Sequence, residues 1–198
     1  MGIDPAPFWA NLFLYFYESE FMQSLISAGS DRAFRYHGTN RFIDDLIAIN
    51  DNNDFANSFR NIYPPQLELK LEHSGTHATF LDLDITISDG IFVYKLFDKR
   101  DKFPFHIVRM PNASSNIPTV IFYSAIFSEF LRIARCSLLF RDFLPRAVEL
   151  FARMKAQGGV TVIIFKQIEK AISRYPCVFS KYEKTYIEIR NDIESLLH

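Results

Sequence analysis

The spacing of apolar residues changes after Pro111, and the change divides this chain. Between Leu67 and Phe97 apolar and polar residues alternate. Leu67, Leu69 and Leu71 are separated by Glu68, Lys70 and Glu72, and Phe80 to Ile87 alternate again. A repeat of two puts apolar side chains on one face of a strand. Asp89-Gly90 is a hairpin turn signal, so Ile91 to Phe97 is expected to return as the partner strand. After Pro111 the repeat lengthens to three or four. Ser114 to Pro118 open a long helix expected from about Thr119 to Phe140, with Ile126, Phe130, Ile133 and Leu138 on its apolar face. Further helices are expected near Asp142–Gln157, Thr161–Tyr175 and Lys181–Leu197, punctuated by Gly158-Gly159 and Pro176. The expected class is α+β, with a strand-bearing part over residues 1–112 and an α-helical lobe over residues 113–198.

The first part also carries two helices. Asp4 is suited to cap a helix whose first position is Pro5. Phe8, Trp9, Leu12, Phe13, Phe16 and Tyr17 cover most of that helix, a pattern normally buried on several sides. It is expected to stop at Ala28-Gly29-Ser30. A shorter helix is expected over Asp54–Ile62, closed by Tyr63-Pro64-Pro65. Between the two helices, Arg41 to Asn50 read RFIDDLIAIN. Phe42-Ile43 and Leu46 to Ile49 are short apolar strands, and Asp44-Asp45 is the turn between them.

Charge follows the same division. Residues 1–110 carry 10 Lys+Arg against 15 Asp+Glu, and residues 111–198 carry 12 against 8. An acidic part before a basic one suits a carboxylate site beside a lobe that binds a polyanion, although uneven solvated surface produces the same imbalance. Cys136 and Cys177 make neither a disulfide framework nor a zinc spacing. Both read as small buried hydrophobes in a reducing, intracellular compartment, cytoplasm or nucleus. Asp4 stands where a signal peptide would be basic, and the apolar stretch from Pro5 to Tyr17 is too short to cross a bilayer. His37, His73, His77, His106 and His198 have no metal-ligand spacing.

Adjacent carboxylates repel unless a cation lies between them. Magnesium takes oxygen ligands from one or two carboxylates and completes its octahedron with water and substrate phosphates. Two such ions stabilise both the attacking and the leaving oxygen of a phosphoryl transfer. Asp44 and Asp45, on a turn held by strands, suit that chemistry. Asp is also a common turn residue, and a solvated turn accounts for the dipeptide taken alone.

The neighbouring motifs point to a family. Phe42-Ile43-Asp44-Asp45 resembles the Tyr-x-Asp-Asp motif of reverse transcriptases. Gly2, Ala6-Pro7 and Asn11-Leu12-Phe13 resemble the motif that precedes it, and Phe80-Leu81-Asp82-Leu83 resembles the hairpin that grips the primer. The three stand in family order. Tyr94-Lys95, Asp98-Lys99-Arg100, Ser115 to Pro118 and Arg132 to Cys136 resemble the region after the palm in eukaryotic retroelements, Penelope-like or related. Phe42 departs from the usual Tyr. The family's third aspartate, on a strand upstream of the Gly-Pro motif, has no counterpart here, and Asp82 and Asp84 do not obviously replace it.

The resemblance implies a partial polymerase palm, a small antiparallel sheet with two helices, followed by a thumb-like helical lobe. It implies magnesium, with manganese as a substitute, held by Asp44 and Asp45 as the catalytic pair. Gly2 would let the backbone approach the templating base pair. Phe80, Leu81 and Asp82 would support the primer end, and Lys70 is a weaker match to a lysine near the pyrophosphate. The partners would be an RNA template and a DNA primer, with deoxynucleoside triphosphates in the full-length parent. Met1 is then expected to be an internal methionine of a longer polymerase. The chain alone is expected to be inactive, without the upstream fingers and palm segment, and its first helix to expose an apolar strip.

Lys166, Lys170 and Arg174 recur every four residues and share a helix face. Arg132, Arg135, Arg141, Arg146, Arg153 and Lys155 add to the same lobe. Such a face could track template–primer phosphates, or could be ordinary solvated surface. Tyr182, Tyr186 and Ile189 read as packing for the last helix. Two other functions fit less of the sequence. One is a non-catalytic nucleic-acid-binding or interaction module derived from the same fold. The other is a metal-dependent phosphoesterase, for which no His or third carboxylate is placed.

Overall fold

The computed structural model describes residues 5–49, 54–105, 107 and 110–197. Two compact units form, Met1–Ser74 and Gly75–His198. The change from strands to helices falls near 110–118 as expected, but the units divide earlier, so the second unit carries three of the strands with its helices.

In the first unit, Pro5 precedes α1 (Ala6–Ser27). Its ring pre-sets a helical φ and its missing N–H costs the first turn nothing. A short α2 (Arg32–Arg35) and a 3₁₀ turn over Tyr36–Gly38 lead into the antiparallel hairpin β1 (Thr39–Phe42) and β2 (Asp45–Ala48). Gly38 is required there, because a Cβ on it would lie 2.7 Å from the Ile49 carbonyl oxygen. The helix α3 (Asp54–Ile62) follows over the expected residues. Tyr36, Phe55, Phe59, Ile62 and Tyr63 form the buried core, and Leu14, Tyr17, Phe21, Met22 and Leu25 of α1 pack against it. One side of α1 is therefore covered. The other is open: Phe8, Trp9, Leu12, Phe13 and Phe16 are all exposed, and no residue of α1 is fully buried. The expectation of a helix buried on several sides is not met within this unit, whereas the expected apolar strip is present.

Leu67 to Glu72 do not form the expected strand. Alternation alone does not make a strand; a partner must accept the backbone bonds. Here the Arg60 guanidinium instead donates to the carbonyls of Pro65 and Leu67, at 3.2 and 2.9 Å.

In the second unit, β3 (His77–Phe80), β4 (Leu83–Ser88) and β5 (Ile91–Leu96) form an antiparallel sheet in that order. The β4–β5 turn is Asp89-Gly90, at φ 52° and 76°, the pair of positive values that a two-residue hairpin of this hand needs. The helices are α4 (Thr119–Arg135), α5 (Phe140–Ala156), α6 (Thr161–Arg174), α7 (Pro176–Phe179) and α8 (Tyr186–Ser195). Their shared core is built on Phe130, Phe143 and Phe179, with Ile126, Met154, Ile164, Ile168, Ile189 and Ile193. Tyr182 packs there, as expected, rather than facing outward.

Three sequence expectations change here. The long helix stops at Arg135 rather than Phe140, because Leu138 donates its N–H to the Tyr94 carbonyl of β5 and Tyr182 donates to the carbonyls of Ala134 and Ser137. The last helix begins at Tyr186 rather than Lys181. Thr185 and Glu188 form a capping box there, after Glu183 has taken a left-handed conformation. Cys177 is exposed rather than buried, since it lies on the outer side of the single-turn α7; Cys136 is half-buried.

Candidate metal hairpin and basic helix face

The assigned residues fall in both units. In the first, Phe42 pairs with Asp45, which leaves Ile43-Asp44 as a two-residue loop. Such loops need a positive φ at the first central position, and Ile43 supplies it at 56°. Asp44 is the second loop residue and Asp45 opens β2; both are exposed. Phe42 is also exposed. The hairpin and the accessibility of its acidic pair are as expected, but the turn is Ile43-Asp44 rather than Asp44-Asp45, because Asp45 pairs with Phe42 and belongs to β2.

These are hard oxygen donors in open solvent, so the donor chemistry fits magnesium. Among the described residues, no group of three or more His, Cys, Asp or Glu side chains is placed to hold a metal ion. The hairpin thus offers the one or two carboxylates magnesium usually takes from protein, and no described third acid joins them. Gly2 lies outside the described residues.

In the second unit, Phe80 ends β3 and Leu81-Asp82 form its turn, with Leu81 at φ 54° and exposed. Asp82 accepts a hydrogen bond from Arg132 of α4 at 3.0 Å. Arg132 also grips the buried Glu129 with two bonds, at 2.9 and 2.7 Å. The hydrogen bonds to Glu129 outweigh burial and hold the Arg132 guanidinium firmly protonated. The β3–β4 turn is thereby tied to α4, and Phe80 and Leu81 remain as its apolar part.

Lys166, Lys170 and Arg174 lie exposed along α6. Lys170 Nζ is 5.8 Å from the centre of the Phe127 ring, and Arg174 is 5.9 Å from that of Tyr175. Arg135 of α4 stands over the same Tyr175 ring at 5.4 Å. A π face fixes a cation without neutralising it. Other basic residues of the lobe are neutralised: Arg132 by Glu129 and Asp82, Arg146 by Asp101 and Glu149, Arg153 by Glu149. Among the described residues, Lys166, Lys170, Arg174 and Arg135 have no ion pair. Lys70 is exposed, 3.7 Å from Glu72, on the segment that forms no strand.

Sequence reasoning missed Glu18 and Tyr63, and gave Arg41 no role. The signal was faint: Glu18 ends a helical stretch that carries no charge from Pro5 onward, and Arg41 is a lone cation beside an apolar turn. No family model, curated protein or solved structure matches this chain. No helix among the described residues is long and apolar enough to cross a membrane.

Proposed function

We propose that the chain is a fragment of an RNA-directed DNA polymerase of the eukaryotic retroelement type, Penelope-like or related, with a partial palm and a thumb-like lobe. The observation that supports this best is the acidic pair at the exposed tip of a tight hairpin, with Asp44 in the loop and Asp45 opening the return strand. On this reading Asp44 and Asp45 hold magnesium, or manganese in its place. The ion supplies charge stabilisation during nucleotidyl transfer to a primer 3′-OH. Phe80 and Leu81 lie against the primer end. Lys166, Lys170 and Arg174 meet phosphates of the RNA–DNA duplex through backbone and shape rather than sequence. With no described third acid beside the pair, residues 1–198 alone are expected to be inactive.

A second reading is a non-catalytic nucleic-acid-binding module. The uncompensated α6 face supports it, because that face needs no metal. Duplex binding tests what the two readings share. RNA–DNA duplex is expected to bind weakly, with affinity falling steeply with salt. Charge reversal of Lys166, Lys170 and Arg174 to Glu should lower the salt slope by about 2 to 3, close to one unit per lost phosphate contact. Fluorescence anisotropy across a salt series measures this. Binding unchanged in the triple variant would return the face to ordinary solvated surface.

A further inference from the structure

Among the described residues of the first unit, Arg41 carries the most side-chain hydrogen bonds. Its Nε donates to Glu18 Oε1 at 2.6 Å, and Nη2 donates to Glu18 Oε2 at 3.1 Å and to the Asn11 carbonyl at 3.4 Å. Its Nη1 donates to Asn11 Oδ1 at 2.7 Å and to the Ile43 carbonyl at 3.0 Å. A guanidinium has five N–H donors, and all five are used. Glu18 Oε1 also accepts from the Tyr63 hydroxyl at 2.5 Å, and Tyr63 is buried beside α3. Thus Arg41 joins α1 to the carbonyl immediately before Asp44, and Glu18 links it on to Tyr63, the residue after α3.

The Ile43 backbone shows why such a brace is needed. A β-branched residue at φ 56° sits where its side chain crowds the backbone. Conformations of this kind cost on the order of 1 to 3 kcal/mol and persist only where the surroundings over-determine them. Glycine or asparagine would relieve the cost, and neither is present. The bonds from β1 through Arg41 to the Ile43 carbonyl supply the over-determination.

We propose that Arg41 is a positioning residue, which with Asn11 and Glu18 holds the Ile43-Asp44 loop in one conformation and so fixes where the Asp44 and Asp45 carboxylates are presented. Its consequence for metal binding rests on the reading of that pair given above; the bracing of the loop does not. Lysine cannot replace it, because an ammonium has no planar fork to meet Glu18 and the Ile43 carbonyl together.

The test is amide hydrogen exchange and manganese-induced line broadening on the full chain, comparing wild type with Arg41→Gln, Arg41→Lys and Asn11→Ala. Exchange at residues 42–46 should quicken by about tenfold or more in both Arg41 variants, and by less in Asn11→Ala, while α3 keeps its protection. Manganese affinity, read from broadening of the Asp44 and Asp45 amides, should fall by about tenfold in the Arg41 variants. If Arg41→Gln does not fold, Asn11→Ala removes the bond to Asn11 Oδ1 alone and leaves the Glu18 pair intact. Exchange at the tip unchanged in the folded variants would overturn the proposal, as would full manganese affinity in Arg41→Lys. Faster tip exchange with no manganese effect in wild type would uphold the brace and count against the metal reading instead.

Discussion

Primer extension by residues 1–198 on an RNA template is expected to stay at background, with magnesium and with excess manganese. Asp44 and Asp45 are the two acids of the hairpin, and no third described acid joins them. Magnesium held by so few protein oxygens keeps most of its waters and binds weakly. Phosphoryl transfer depends almost entirely on positioning and on stabilising charge as it develops. Losing a single preorganised stabilising group costs a factor of about 10² to 10³ in rate, and a displaced metal removes more than one such interaction. Extension products resolved on a sequencing gel measure this. Robust extension that Asp44→Ala abolishes would show that a further ligand completes the site.

The second large effect concerns α1. Its exposed Phe8, Trp9, Leu12, Phe13 and Phe16 are each about half accessible. Aromatic side chains carry about 150 to 250 Å² apiece, so the strip amounts to about 500 Å². That is the upper range for the largest apolar patch on a typical soluble monomer. The chain is expected to self-associate at micromolar concentration. Replacing Phe8, Trp9, Leu12 and Phe16 by Gln, a good helix former, should yield a monomer with the helix retained. Phe13 is left in place because its ring is the nearer of the two that pack edge-on to Tyr17, at 5.1 Å against 5.4 Å for Phe16, and it lies closer to the covered side of the helix. Sedimentation velocity distinguishes the outcomes. A monomeric wild-type chain, or a variant that still aggregates, would show that the strip does not govern association.

The parts of the fold that were legible are those whose causes are local. Asp89-Gly90 announced the β4–β5 hairpin because its backbone requirement lies in the two residues themselves. The acidic pair interrupting an apolar run announced the β1–β2 turn, and α3 lies over the residues expected. Where the cause is distant, the sequence was silent. Leu67 to Glu72 had the alternation of a strand but no partner to bond. The end of α4 is decided by carbonyls meeting Tyr182, more than forty residues onward. The role of Arg41 depends on Asn11, Glu18 and the turn carbonyl together, with two of these partners 30 and 23 residues away. The start of α8 was readable and was missed: Thr185-Tyr186-Ile187-Glu188 has the spacing of a capping box.

For the candidate site, what could be read was the chemistry of single residues, not their surroundings. Asp44 and Asp45 lie at the exposed tip as expected. Asp82 is exposed, but one oxygen of its carboxylate is taken by Arg132, a partner fifty residues onward that the sequence did not disclose. The α6 cations were visible as a four-residue repeat. That the Phe127 ring lies beside Lys170 became visible only once α4 and α6 were packed together, whereas Tyr175 follows Arg174 directly in the sequence.

Binding of a divalent cation at the hairpin is the point on which the functional reading rests. Manganese titrated into the isotope-labelled chain should broaden the amide signals of residues 43–46 before any others, saturably. Magnesium should compete, and the double variant Asp44→Asn, Asp45→Asn should abolish the effect while leaving the spectrum of the rest of the unit unchanged. Broadening that begins elsewhere, or that persists in the double variant, would contradict the assignment of Asp44 and Asp45 as metal ligands.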